Sequence, residues 1–108
     1  MQTNPFHIGV VTLSGSPQKL GDVFSAYTGP NSVKTLILSL FASVVTDFAY
    51  VGDLTLNSTT KAGVIIPISH GGYGTFGGMK TADNIDWREF YVLGTSGDLL
   101  VVAGQREG

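Results

Sequence analysis

Apolar residues in this chain fall in short runs, each closed by glycine, proline or small polar residues. The first run, Phe6-His7-Ile8-Gly9-Val10-Val11-Thr12-Leu13, is rich in branched side chains and stops at Ser14-Gly15-Ser16-Pro17, which predicts a strand ending in a turn. Leu20, Val23, Phe24 and Tyr27 then recur at helical spacing. A short helix or 3₁₀ turn is expected there, with Ser16 as cap and Pro17 in its first position, weakened by Gly21. Strands follow at Val33-Lys34-Thr35-Leu36-Ile37-Leu38-Ser39-Leu40, at Ala49-Tyr50-Val51, broken at the Gly52-Asp53 turn, and at Gly63-Val64-Ile65-Ile66-Pro67-Ile68. Pro67 restricts the last of these to a sheet edge or a bulge, because it cannot donate to a ladder.

Asn57 to Gly63 reads as a polar loop tip, and the stretch from His70 to Gly78 is too rich in glycine for a regular core strand. A brief helical turn is expected around Asn84-Ile85-Asp86-Trp87-Arg88-Glu89. Beyond it, Phe90-Tyr91-Val92-Leu93 and Leu99-Leu100-Val101-Val102-Ala103 flank Gly94-Thr95-Ser96-Gly97-Asp98, which predicts a β-hairpin. Five to seven short strands with turns between them imply an all-β fold, a small antiparallel β-sandwich or β-barrel with one or two helical turns. Residues 1–108 are expected to form one domain, with 1–5 and 104–108 as flexible or partner-bound ends.

Composition changes this picture in one respect. Charged residues make up 13% of the chain, about half the usual share, and 15 glycines with many Ser, Thr and Asn take their place. A neutral polar surface fits a protein partly covered by neighbours. Net charge is −2 with six Lys and Arg in all, so the basic stripe that nucleic acid requires is missing. There is no cysteine, which excludes disulfides and thiolate metal sites. Neither a basic secretory n-region nor an apolar run of membrane-spanning length is present, so no membrane association is expected.

Candidate chemistry is sparse. Gly72-Tyr73-Gly74-Thr75-Phe76-Gly77 matches the glycine pattern of a pyrophosphate loop. Its continuation, Gly78-Met79-Lys80-Thr81-Ala82-Asp83, opens a helix poorly, and too little chain remains for a nucleotide fold. His7 and His70 lack metal-ligand spacing and a nucleophile beside them. Asp83, Asp86 and Glu89 are close enough in sequence to form a hydrolytic carboxylate pair, though capping a helical turn suits them as well. Asp53 and Asp98 follow glycines at turns, where aspartate bonds its own backbone. Trp87, Tyr73 and Phe76 could stack on sugar rings or pack in a core or interface. No catalytic residue, metal ligand or cofactor is assigned.

The succession Leu20-Gly21-Asp22-Val23-Phe24, Val33-Lys34-Thr35-Leu36-Ile37-Leu38, Ala49-Tyr50-Val51-Gly52-Asp53 and Ile85-Asp86-Trp87-Arg88-Glu89-Phe90-Tyr91-Val92-Leu93-Gly94-Thr95-Ser96-Gly97-Asp98 resembles small virion proteins of tailed bacteriophages. The last segment is the most specific, with Trp87 in place of the usual aliphatic residue. The resemblance implies a β-sandwich or barrel that decorates or cements a capsid, or completes a neck or tail, and it implies no catalytic residue. The expected partners are the major capsid protein or other virion proteins and further copies of the chain, and the expected location is the virion. Asn4, Pro5 and Phe6 near the N-terminus, Asn57, Ser58 and Thr59 in the polar loop, Tyr73 and Phe76 in the glycine-rich stretch, and Trp87 are the candidate contact residues. A carbohydrate-recognition module using Trp87 and Tyr73 is the alternative from another class.

Overall fold

The computed structural model describes residues 3–57, 59–69, 71–77 and 85–107. Among the described residues are ten strands: β1 (Thr3–Thr12), β2 (Gln18–Lys19), β3 (Ser32–Val33), β4 (Thr35–Phe41), β5 (Phe48–Gly52), β6 (Val64–Ser69), β7 (Tyr73–Gly77), β8 (Ile85–Asp86), β9 (Tyr91–Gly94) and β10 (Leu99–Glu107). A four-residue helix, α1 (Leu20–Val23), and a 3₁₀ turn (Trp87–Glu89) interrupt them. The fold is therefore all-β and antiparallel, as the runs of branched residues require.

The pairing follows a simple order. β1 pairs with β10, β2 with β9, β3 with β8, β4 with β7 and β5 with β6, every pair antiparallel. The chain is thus one long ribbon doubled back at the loop 53–63. Two further pairings, β10 with β4 and β5 with β9, roll that ribbon into two four-stranded sheets, β1-β10-β4-β7 and β2-β9-β5-β6. This connectivity is that of a jelly roll, in which doubling back and rolling up leaves two facing sheets.

Period-2 alternation decides which face is inside. In β4, Leu36, Leu38 and Leu40 are buried while Thr35, Ile37, Ser39 and Phe41 point away. They meet Leu100 and Val102 of β10, Val11 of β1, Ala49 and Val51 of β5, Val92 of β9 and Ile68 of β6 in one core between the sheets. β6 is an edge strand, the position its Pro67 demands. Gly52 is required at the β5–β6 bulge, where a Cβ would overlap the carbonyl oxygen of Gly63.

Two expectations are corrected. The helical segment begins at Leu20, behind Lys19 rather than Ser16, and no side chain caps it. The residues before it, Gln18 and Lys19, are claimed by β9 as a short strand, so pairing displaces the cap. Second, β9 and β10 are not a hairpin. β9 lies within one sheet and β10 within the other, and the turn between them crosses the sandwich, tied to the end of β1 by Gly97 N–H to Leu13 O (2.9 Å) and Leu13 N–H to Asp98 O (2.8 Å). The polar tail, expected to be flexible or partner-bound, carries strand pairing over its described residues. Its residues continue β10 to Glu107, paired with β1 as far back as Thr3, because backbone hydrogen bonds hold a strand whatever its side chains.

Candidate functional site

The sequence-predicted contact residues do not converge on one spot. Asn4 and Pro5 lie in β1, paired with Arg106 and Gln105. Phe6 is half-buried against the core, so its ring is committed to packing. Trp87 is 1% exposed, its Nε1–H donates to Pro30 O at 2.8 Å, and its ring meets Phe24 and Tyr27 edge-on. That burial removes Trp87 both from the contact set and from any sugar platform. Tyr73 and Phe76 belong to β7, opposite Ser39 and Leu36 of β4. The glycine-rich stretch is therefore itself an edge strand over 73–77, unlike the loop a pyrophosphate would need. Ser58, His70 and Asp83 lie outside the described residues.

The loop 53–63 is a built structure. Asp53 Oδ1 accepts from Thr55 N–H (2.9 Å) and Oγ1–H (2.6 Å), which holds its carboxyl below the ordinary aspartate range. Asn57 Oδ1 accepts from Thr59 N–H (2.8 Å) and Thr60 N–H (3.0 Å), and Leu56 is buried beneath. Asn57 and Thr59 are exposed, but the Asn57 side chain is spent on its own loop.

Two carboxylates are placed by their partners. Asp86 caps the 3₁₀ turn at Arg88 N–H (3.1 Å) and makes a two-pronged ion pair with the Arg88 guanidinium (2.9 and 2.8 Å), which lowers its pKa and raises that of Arg88. Glu89 lies 3.7 Å from Lys19. Asp98, expected to bond its own turn, accepts instead from Ser43 N–H (3.2 Å) and Oγ–H (3.3 Å), both in the β4–β5 loop. Among the described residues, no cluster of three or more His, Asp or Glu is arranged to hold a metal ion. No helix among them is long and apolar enough to cross a membrane.

What periodicity and pairing do assemble is a face. On the outer side of the β1-β10-β4 sheet the register sets out four rows, and the pair of Thr3 with Glu107 continues β1 and β10 beyond them. Thr12, Leu99 and Phe41 form one, and Val10, Val101 and Ser39 the next. His7, Ala103 and Ile37 form the third, and Pro5, Gln105 and Thr35 the last. None in these four rows is Lys, Arg, Asp or Glu, although an open antiparallel sheet ordinarily faces water with polar and charged residues. Phe41 is 59% exposed, and Val10 and Leu99 are also exposed. The β4–β5 loop, beginning right after Phe41, adds exposed Val44 and Val45, the latter 78% exposed.

The size of the face decides what it can do. Strand spacings of about 4.8 Å and outward residues about 6.7 Å apart give roughly 400 Å² for three strands and four rows. A standard interface takes roughly 800 Å² from each partner. The sheet face is thus about half of one, and the apolar loop beside it extends the area. The apolar members were legible in sequence as strand residues. Their common outward side needed the register, because β10 lies between β1 and β4 rather than beside β9.

The fold and this face define a class: a small jelly-roll sandwich whose outer β1-β10-β4 surface carries no Lys, Arg, Asp or Glu over four rows. No family model matches the chain, and neither a curated protein nor a solved structure matches it. The chain's own geometry therefore carries the functional argument.

Proposed function

We propose that this protein is a structural subunit of a virion, a decoration or cement protein that docks the outer face of its β1-β10-β4 sheet on neighbouring capsid subunits. The observation that carries this reading is the uncharged, half-apolar sheet face. Apolar side chains there remain in water at a cost of about 25 cal/mol for each Å² that a neighbour would cover. An isologous or repeated contact across such a face also meets no like-charge repulsion. Low overall charge, jelly-roll connectivity of the kind used in viral capsid domains, and the resemblance of the Ile85-to-Asp98 segment to small phage virion proteins support the same role. The connectivity counts only as fold-level analogy.

Binding here is by shape. The core fixes the sheet, the sheet fixes the side-chain rows, and association buries them. A neck or tail position would use the same chemistry against a different neighbour. Mass spectrometry of purified particles from cells carrying this sequence tests the proposal. The chain is expected in mature particles at many copies, and a low, fixed copy number would move it to the neck or tail. Its absence from particles would overturn the role.

A further inference from the structure

β1 lies at the edge of its sheet and, among the described residues, pairs with β10 alone. The other ends of the two four-stranded sheets are poor partners for a further strand. β6 carries Pro67, β2 is two residues long, and β7 has glycine at 74 and 77. β1 is ten residues long and contains no Lys, Arg, Asp or Glu. Pro5 and the register shift between His7 and Gly9 interrupt its first half. Val10-Val11-Thr12 remains as an unbroken, β-branched edge on which Val10 and Thr12 are exposed.

The ladder fixes which way the backbone of this edge points. Leu13 donates its N–H to Asp98 O (2.8 Å) and accepts from Gly97 N–H (2.9 Å), so both its groups turn toward the residues that lead into β10. Backbone groups alternate sides along a strand. Val11 therefore turns toward β10 as well, and Val10 and Thr12 turn their N–H and C=O to the open side. Among the described residues, no other backbone group bonds to these.

A twofold axis at Val11 satisfies them all. With two copies antiparallel, Val10 stands opposite Thr12 of the second copy and Thr12 opposite its Val10, so each open N–H meets an open C=O. An uncharged strand also meets no like charge in its own image, as an edge guarded by lysine would. The same axis sets two outer faces side by side, roughly 800 Å² in all, which is one partner's part of a standard interface. We infer that two copies of this chain join through their β1 edges, antiparallel about Val11, so that two four-stranded sheets become one continuous sheet. The pairing rests on β1 alone and holds whatever the outer face docks on.

Sedimentation velocity of the purified full chain, with amide hydrogen exchange at low and high concentration, provides the test. A monomer–dimer equilibrium is expected, with a Kd on the order of 100 μM for a contact below standard size. Exchange at Val10 and Thr12 should slow about fivefold once the chain is at about ten times that Kd, when roughly a fifth of it is still monomer. Exchange at Val11, already bonded to β10, should stay as it is. Val10→Pro removes one donor from each copy, leaves the β1–β10 ladder intact, and should weaken association about tenfold or more. If that variant misfolds, the exchange pattern of the wild type decides alone. A monomer up to about 1 mM, a dimer whose Val10 and Thr12 amides exchange as fast as in the monomer, or a folded Val10→Pro that dimerises like wild type would each overturn the inference.

Discussion

Replacing Trp87 with alanine is expected to remove about 3–5 kcal/mol of folding stability, read as a lower urea midpoint at unchanged slope. Domains of ordinary stability hold about 5–15 kcal/mol in all, so the variant should be marginal near 37 °C. The size of the effect follows from where the ring sits. Trp87 opens the 3₁₀ turn after β8, is 1% exposed, and is wedged edge-on between Phe24 (6.1 Å, 64°) and Tyr27 (5.4 Å, 79°). It joins the 20–31 segment to the end of the sandwich where β8 hands over to β9. Its Nε1–H also satisfies Pro30 O. Trp87→Phe keeps most of the packing and loses that donor, so a smaller cost of about 1–3 kcal/mol is expected. Near-equal costs for the two variants would mean that the hydrogen bond, rather than the ring, dominates.

The second large effect is expected at Asp98. This carboxylate is 2% exposed and receives both the N–H and the hydroxyl of Ser43, while its backbone N–H and C=O bond Thr95 O and Leu13 N–H. One residue thus ties together the β9–β10 crossing, the end of β1 and the β4–β5 loop. Asp98→Ala leaves the Ser43 donors without this acceptor and should cost about 1.5–3 kcal/mol, the range for hydrogen bonds to charged groups. Hydrogen exchange should quicken first at Ser43 and its loop neighbours. Asp98→Asn retains an acceptor oxygen and should cost distinctly less. Slow exchange at Ser43 in the alanine variant would show that the loop is held by something else.

Much of the fold was legible because burial imposes a period. Leu36, Leu38 and Leu40 alternate with polar Thr35 and Ser39 for part of the run, and that pattern gives β4 as a strand, while its inner face, blurred by Ile37, is set by the packing. Pro67 limits β6 to an edge or a bulge, and the sheet order makes it an edge. Long-range pairing was not legible. Leu93 and Leu99, separated by a short glycine-containing turn, give the same local signal whether the two strands pair with each other or cross between sheets. What decides is competition for partners: β10 is flanked by β1 and β4, and β9 by β2 and β5. The acceptor role of Asp98 was hidden for the same reason, since it depends on Ser43, which only the rolled-up ribbon brings near.

The candidate site followed the same divide. Trp87, Tyr73 and Phe76 stand out because aromatics are conspicuous in a sequence, yet Trp87 proves to be core. The proposed docking face consists of ordinary strand residues whose distinction is a missing property, charge, over four rows of three strands. A single strand's sequence cannot display that.

The docking face is tested most directly by sedimenting the purified chain with particles assembled without it, comparing wild type, Val101→Glu and Ile65→Glu. Val101 lies at the middle of the outer face between Val10 and Ser39, while Ile65 is exposed on β6 of the other sheet. An unpaired charge buried at an interface costs about 2 kcal/mol or more, so Val101→Glu should weaken binding by about 30-fold or more with its thermal midpoint unchanged. Ile65→Glu should bind as wild type does. Wild-type binding by Val101→Glu would contradict the assignment of this face.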